Sequence, residues 1–243
     1  MKVRHLPKLA IDDRQRLRED AARKVLGPER YERRVVRDFH RLYYGSSSRT
    51  WKDTRWFGVG VKKCPLDLWI YQEILHEVRP DVIIETGTRF GGSAFFIASI
   101  CDLLGQGRVV TVDIEHSDDR PSHDRITYLT GSSTDPATVE KVKSEIGENE
   151  AVLVILDSDH SRDHVLAEMR MYGPVVTNGS YLIVEDSNVN GHPVRPNFGP
   201  GPMEAIDTFL SDRDDFVVDD AREKFFMTFN PRGYLKRMNE QAG

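Results

Sequence analysis

The chain has 243 residues, a formal net charge of -5, 39% apolar residues and 30% charged residues. That length holds one α/β domain plus a decoration, and the acidic balance gives no general electrostatic case for nucleic acid or an anionic membrane. Two cysteines, Cys64 and Cys101, are too few for a disulfide framework and point to a reducing cytosol.

Two helices are expected first, over residues 12–26 and 28–43. Leu17, Ala21, Ala22 and Val25 form one narrow apolar stripe, and Val35, Phe39 and Leu42 form another. They read as a helical cap that packs on a neighbour or on a second copy, which makes a homo-oligomer the expectation. No signal-peptide core precedes them. An aromatic, polar loop over 43–51 and the run 56–61 follow. Tyr44 and Trp56 suit stacking on a sugar; a loop pinned to the core by its rings is the alternative. The chain then divides into a cap with a substrate-side loop, 1–64, and an α/β domain, 65–243.

From Pro65 onward strands and helices alternate. A helix over 66–78 ends before Pro80. Val82, Ile83 and Ile84 form a buried strand leading into Glu85-Thr86-Gly87-Thr88-Arg89-Phe90-Gly91-Gly92-Ser93, a tight glycine turn that opens the next helix. The most apolar window, 82–101, contains Glu85, Arg89 and several glycines, so no membrane insertion is expected. Further strands are expected over 108–113, 126–130, 151–156 and 180–184. The last two are expected over 216–218 and 225–229.

Strands joined by helices give a parallel sheet, and such sheets bind ligands at the carboxyl ends of their strands. Here those ends carry Glu85 with the glycines, Asp113, Ser132-Ser133, Asp157 to His160, and Glu185-Asp186. Asp113 suits a ribose diol, which serves S-adenosylmethionine (SAM) or NAD equally. The pattern E-x-G-x-x-x-G-G-S is closer to the first motif of SAM methyltransferases than to G-x-G-x-x-G. Asp157, Glu185 and Asp186 are expected to converge, and an all-oxygen set of this kind suits Mg²⁺. His160, three residues past Asp157, is placed to take a proton near neutral pH. Asp159 has three readings: second shell, orienter of His160, or helix cap. His164 reads as a packing or helix-surface residue.

At these residues the sequence resembles the sugar O-methyltransferases typified by mycobacterial rhamnosyl O-methyltransferases, grouped with cephalosporin hydroxylase-like proteins. The segments that carry the resemblance include Tyr43-Tyr44-Gly45, Tyr71-Gln72-Glu73-Ile74-Leu75, Glu85 through Ser93, Leu156-Asp157-Ser158-Asp159-His160-Ser161 and Val184-Glu185-Asp186-Ser187-Asn188. Asn190-Gly191-His192-Pro193-Val194 and Phe198-Gly199-Pro200-Gly201-Pro202 extend it. The resemblance implies a class I SAM-methyltransferase fold with an antiparallel last strand, and Mg²⁺-assisted methyl transfer to a sugar hydroxyl of a glycolipid or oligosaccharide. It implies Asp157, Glu185 and Asp186 as metal ligands and His160 as base. Glu85, Gly87, Thr88, Gly91, Gly92, Ser93, Asp113, Ser132, Ser133 and Asp157 are expected around SAM. Asn188 and His192, beside the loop 191–202, are expected near the acceptor. A non-catalytic SAM-binding subunit and a nicotinamide oxidoreductase are the competing readings.

Overall fold

The computed structural model of the protein describes residues 20–238. The first expected helix is helical over residues 20–26, and its beginning lies outside the described residues. Gly27, at φ 79°, breaks it, and Pro28 opens α1 (Pro28–Gly45) with its φ already suited to a helix. α1 is charged over most of its surface and buries only His40. A small hairpin follows, β1 (Arg55–Trp56) paired with β2 (Val59–Gly60). Its turn residues, Phe57 and Gly58, both have positive φ, the backbone that matches strand twist in a two-residue connection.

The alternating region runs α2 (Pro65–Val78), β3 (Val82–Thr86), α3 (Gly92–Leu104), β4 (Arg108–Asp113) and β5 (Ile126–Thr130). It continues through α4 (Pro136–Ser144), β6 (Val152–Leu156), α5 (Arg162–Tyr172), β7 (Tyr181–Val184), α6 (Pro202–Ser211), β8 (Phe216–Val218) and β9 (Tyr234–Arg237). Seven strands form one sheet in the order β5-β4-β3-β6-β7-β9-β8. The first five are parallel, and β9 runs antiparallel to both of its neighbours. Period-two alternation sorts the core into two layers. Val82, Ile84, Val154 and Leu182 face α4, α5 and α6, whereas Ile83, Leu153, Ile155 and Ile183 face α2 and α3.

Register decides what meets at the sheet's edge. Thr86 pairs with Val112 on one side and Leu156 on the other, and Leu156 pairs with Val184. The chain therefore leaves the sheet side by side at Gly87, Asp113, Asp157 and Glu185. No helix among the described residues is long and apolar enough to cross a membrane.

The expected strand over 225–229 is irregular, and the last strand is Tyr234–Arg237 instead. Met227 and Phe229 are drawn into a small apolar cluster with Cys64, Tyr43, Tyr44 and Trp51, while Phe226 turns outward at φ 62°. The Phe229 N–H donates to the Asp67 carboxylate at 2.9 Å and not to a neighbouring strand. Gly233 sets the true strand: a β-carbon there would lie 2.2 Å from the Val184 carbonyl oxygen, so only glycine lets the chain run in beside β7.

Candidate active site

The glycine turn after β3 is shaped by close contacts. Gly87 sits at φ 89°, and a β-carbon on it would meet the Asp157 carbonyl oxygen at 2.0 Å. At Gly92 a β-carbon would meet the Gly60 carbonyl oxygen at 2.1 Å, so the hairpin rests directly on the start of α3. Glu85 is fully buried beneath the turn. Ser93 donates to its Oε1, and Thr111 donates to its Oε2 at 2.9 Å. Thr88 hydrogen-bonds Thr111 at 2.7 Å, which ties β3 to β4. At the end of β4, Asp113 accepts the N–H groups of Arg89 (2.7 Å) and Glu115 (2.9 Å). Ser133 bonds His164 Nε2 at 3.2 Å, and Ser132 pairs with Thr134. His164 also meets Ser158 at 3.1 Å and Glu168 at 3.5 Å, a packing role that joins the ends of β5 and β6.

The acids after β6 and β7 converge. His160 Nε2 lies 3.1 Å from Asp186 Oδ2 and 3.9 Å from Asp157 Oδ1. Asp157, His160 and Asp186 each offer one ligand atom, all within 4.8 Å of one another. Asp186 is held in a left-handed conformation at φ 53°, its N–H donating to Asn230 Oδ1 at 3.1 Å. Such a backbone is uncommon for a side chain other than glycine and persists where surroundings hold it. Burial, joined by the nearby Asp157, raises the Asp186 pKa against the pull of His160. Asp159 accepts the Ser161 N–H at 2.7 Å in a turn ahead of α5, whose N-cap position is Ser161, and its bonds to Ser161 hold its pKa low.

Glu185 is deeper than its neighbours. Its Oε1 accepts from Lys63 Nζ at 2.5 Å and from the Tyr71 hydroxyl at 2.6 Å. Lys63 Nζ also lies 2.5 Å from Asp157 Oδ2. Burial raises the Glu185 pKa well above the ordinary range, Asp157 adds to the rise, and Lys63 opposes it. For Lys63 burial acts to lower the pKa, but Asp157, Glu185 and Glu85 outweigh it and hold the ammonium form.

The residues expected near an acceptor divide. The Tyr44 phenol stands beside Asp186 and Arg195: burial and then Asp186 raise its pKa, and its bond with Arg195 opposes. Its ring also packs on Trp51 and Phe229 at 5.3 Å each, contacts that pin this part of the loop to the core. Trp56 lies against Phe96 at 4.9 Å and donates to Ser99 at 3.1 Å, on the α3 side of the hairpin. His192 is bonded to Glu204 at 2.9 Å, and the buried Asn188 pairs with His40 at 2.9 Å. Sequence reasoning gave no site role to Lys63, Tyr71, Asn230 and Glu204.

A cluster of hard oxygen donors and one imidazole beside a glycine turn can bind a divalent ion and accept a hydroxyl proton. The family described as Rhamnosyl O-methyltransferase/CmcI matches residues 48–238. A Rhamnosyl O-methyltransferase of Mycobacterium tuberculosis is 44% identical over 210 residues, covering 84% of this chain and 85% of that protein. Among solved structures, CmcI without ligand superposes with a TM-score of 0.61 at 24% identity over 78% of each chain. CmcI with Mg and SAM superposes with a TM-score of 0.58 at 21% identity, over 77% of this chain and 78% of that one. By the extent of the family match and the identity to the mycobacterial enzyme, this chain belongs to the Rhamnosyl O-methyltransferase/CmcI family.

Proposed function

We propose that the protein is a SAM- and Mg²⁺-dependent O-methyltransferase acting on a sugar hydroxyl, with a rhamnosyl, mannosyl or glucosyl acceptor in a glycolipid or oligosaccharide. The observation that carries this reading is the meeting of Asp157, His160 and Asp186 within 4.8 Å at the sheet edge, next to the glycine turn, in a chain of this family. Asp157 and Asp186, with Glu185 behind them, fit a hard divalent ion: they are carboxylates on neighbouring strand ends whose mutual repulsion an ion relieves. The glycine turn, Glu85 and Asp113 form the nucleoside side of the site, and Tyr44 with Arg195 stands on the acceptor side. Bound there, SAM supplies an electrophilic methyl carbon and Mg²⁺ makes a coordinated hydroxyl more acidic.

The chain's own residues then do three things. The turn holds the donor in line with an acceptor seated beside Tyr44 and Arg195, an alignment that contributes to the rate. His160 Nε2 is placed to take the proton of the acceptor hydroxyl as that oxygen becomes the nucleophile. Asp186, 3.1 Å from that nitrogen, stabilises the imidazolium that forms. A metal-dependent hydroxylase is disfavoured because the cluster has one histidine and two carboxylates in place of two histidines and one. Buried free cysteines support a reducing cytosol, and the exposed stripe Val35, Phe39 and Leu42 on α1 supports assembly with a second copy. The test is transfer of labelled methyl from SAM to a panel of envelope glycans with and without EDTA. Turnover that persists unchanged in EDTA removes the metal from the scheme, and no transfer to any glycan removes the sugar.

A further inference from the structure

The acids at the ends of β6 and β7 carry a cation of their own, which methyl transfer as described does not use. Lys62, at φ 58°, turns the backbone after the hairpin so that Lys63 points inward, with 4% of its side chain exposed. Its ammonium lies 2.5 Å from Asp157 Oδ2 and 2.5 Å from Glu185 Oε1. The Tyr71 hydroxyl donates to the same Glu185 oxygen, and Asn230 Nδ2 donates to Tyr71 at 3.2 Å. Burying a lysine costs hydration and rotamer freedom, which charges answering it on both sides offset. One consequence is directional. Asp157 has two oxygens, and Oδ2 is committed to Lys63 while Oδ1 is the one that approaches His160, at 3.9 Å.

We propose that Lys63 is a positioning residue of this site: by fastening Asp157 Oδ2 to Glu185 it aims Asp157 Oδ1 toward His160 and Asp186, and it holds these acids together when no divalent ion is bound. The proposal rests on reading the cluster as the metal-assisted methyl-transfer site. It makes Lys63 and the ion share the work of neutralising the acids, so loss of one increases dependence on the other.

Thermal unfolding in EDTA and in excess Mg²⁺ tests this in the full chain, reading for each variant the rise in Tm that Mg²⁺ produces. Lys63→Met removes the charge, and its Mg²⁺-induced rise is expected to exceed that of the unsubstituted protein by about 4 °C or more. Lys63→Gln, which keeps a polar donor without charge, carries the same expectation should the methionine variant not fold. Lys63→Arg keeps the charge, and its rise is expected to stay within about 2 °C of the unsubstituted protein's. A purely structural lysine lowers Tm equally in both media. Equal rises in the neutral variants and the unsubstituted protein therefore overturn the proposal. Mn²⁺ binding by the unsubstituted protein, followed by electron paramagnetic resonance, tests the metal reading separately. Binding without an excess rise in the neutral variants overturns the role of Lys63 alone, and no binding overturns both.

Discussion

Glu85 and Glu185 are both buried at the carboxyl edge of the sheet, and burial raises the pKa of both. Their partners differ in kind. Glu85 is hydrogen-bonded by two neutral hydroxyls, Ser93 and Thr111, and feels the Lys63 charge without a hydrogen bond to it. Glu185 is met by an ammonium that it shares with Asp157, plus the Tyr71 hydroxyl. The contrast separates a carboxylate that shapes a turn from one whose charge belongs to a counted set. A hydroxyl can rotate to suit an amide, whereas a buried ammonium that loses a carboxylate is left short of charge.

The most severe break in that contrast comes at His160, the group on the charged side that meets the reacting hydroxyl. His160→Ala is expected to lower turnover by about 10²–10⁴-fold, with S-adenosylhomocysteine binding by calorimetry little changed. A loss of that binding equal to the loss of turnover would refute the base role. Next come the two glutamates themselves, compared by urea midpoint. Glu185→Gln is expected to cost about 3 kcal/mol, because it breaks a buried pair from one side. Glu85→Gln should cost about 1 kcal/mol, since Ser93 and Thr111 can reorient to the amide. Equal costs would erase the distinction between the two sites.

A buried histidine extends the comparison to pH. His40 is held by Asn188 and stacked on Phe229, and burial pushes its pKa down from 6.5 to about 4. The unfolded chain therefore takes up this proton more readily than the folded one. The stability His40 contributes is present above pH 6.5 and is lost as pH falls toward 4, by up to about 3 kcal/mol. His40→Asn should flatten the urea midpoint over that interval, and an unchanged slope would count against it. The smallest effect is expected on the surface, where Arg232 and Asp207 form an ion pair with both side chains well exposed. Asp207→Asn should move the midpoint by less than about 0.5 kcal/mol, despite a contact as short as that of Lys63.

Much of this edge was legible in the sequence. Largely apolar runs of three to six residues ending in an acid mark β3, β4, β6 and β7, and parallel register then brings Asp157 and Glu185 side by side. The position of His160, three residues after Asp157, follows from the same run. Lys63 was not legible, because its burial depends on the left-handed turn at Lys62 and on a hairpin whose docking is a tertiary event. The last strand was missed for a related reason. Phe225 to Phe229 is richer in β-forming residues than Tyr234–Arg237, yet the Phe229 ring is claimed by Tyr44, Trp51 and His40, and Asp67 on α2 takes its backbone N–H. Local preference loses where distant side chains hold a segment.

The contact between Gly60 and Gly92 ties two stretches of sequence that would otherwise drift apart over evolutionary time. Gly92 has no space for a methyl group at the point where the hairpin crosses the helix start, whereas a β-carbon at Gly60 would meet only the Phe90 ring, at 3.7 Å. Moving residues 55–64 onto another member of the family therefore demands a glycine at the position that matches Gly92, whatever residue stands at 60. A chimera that ignores this would lift the lysine away from its acids even with every charged residue retained.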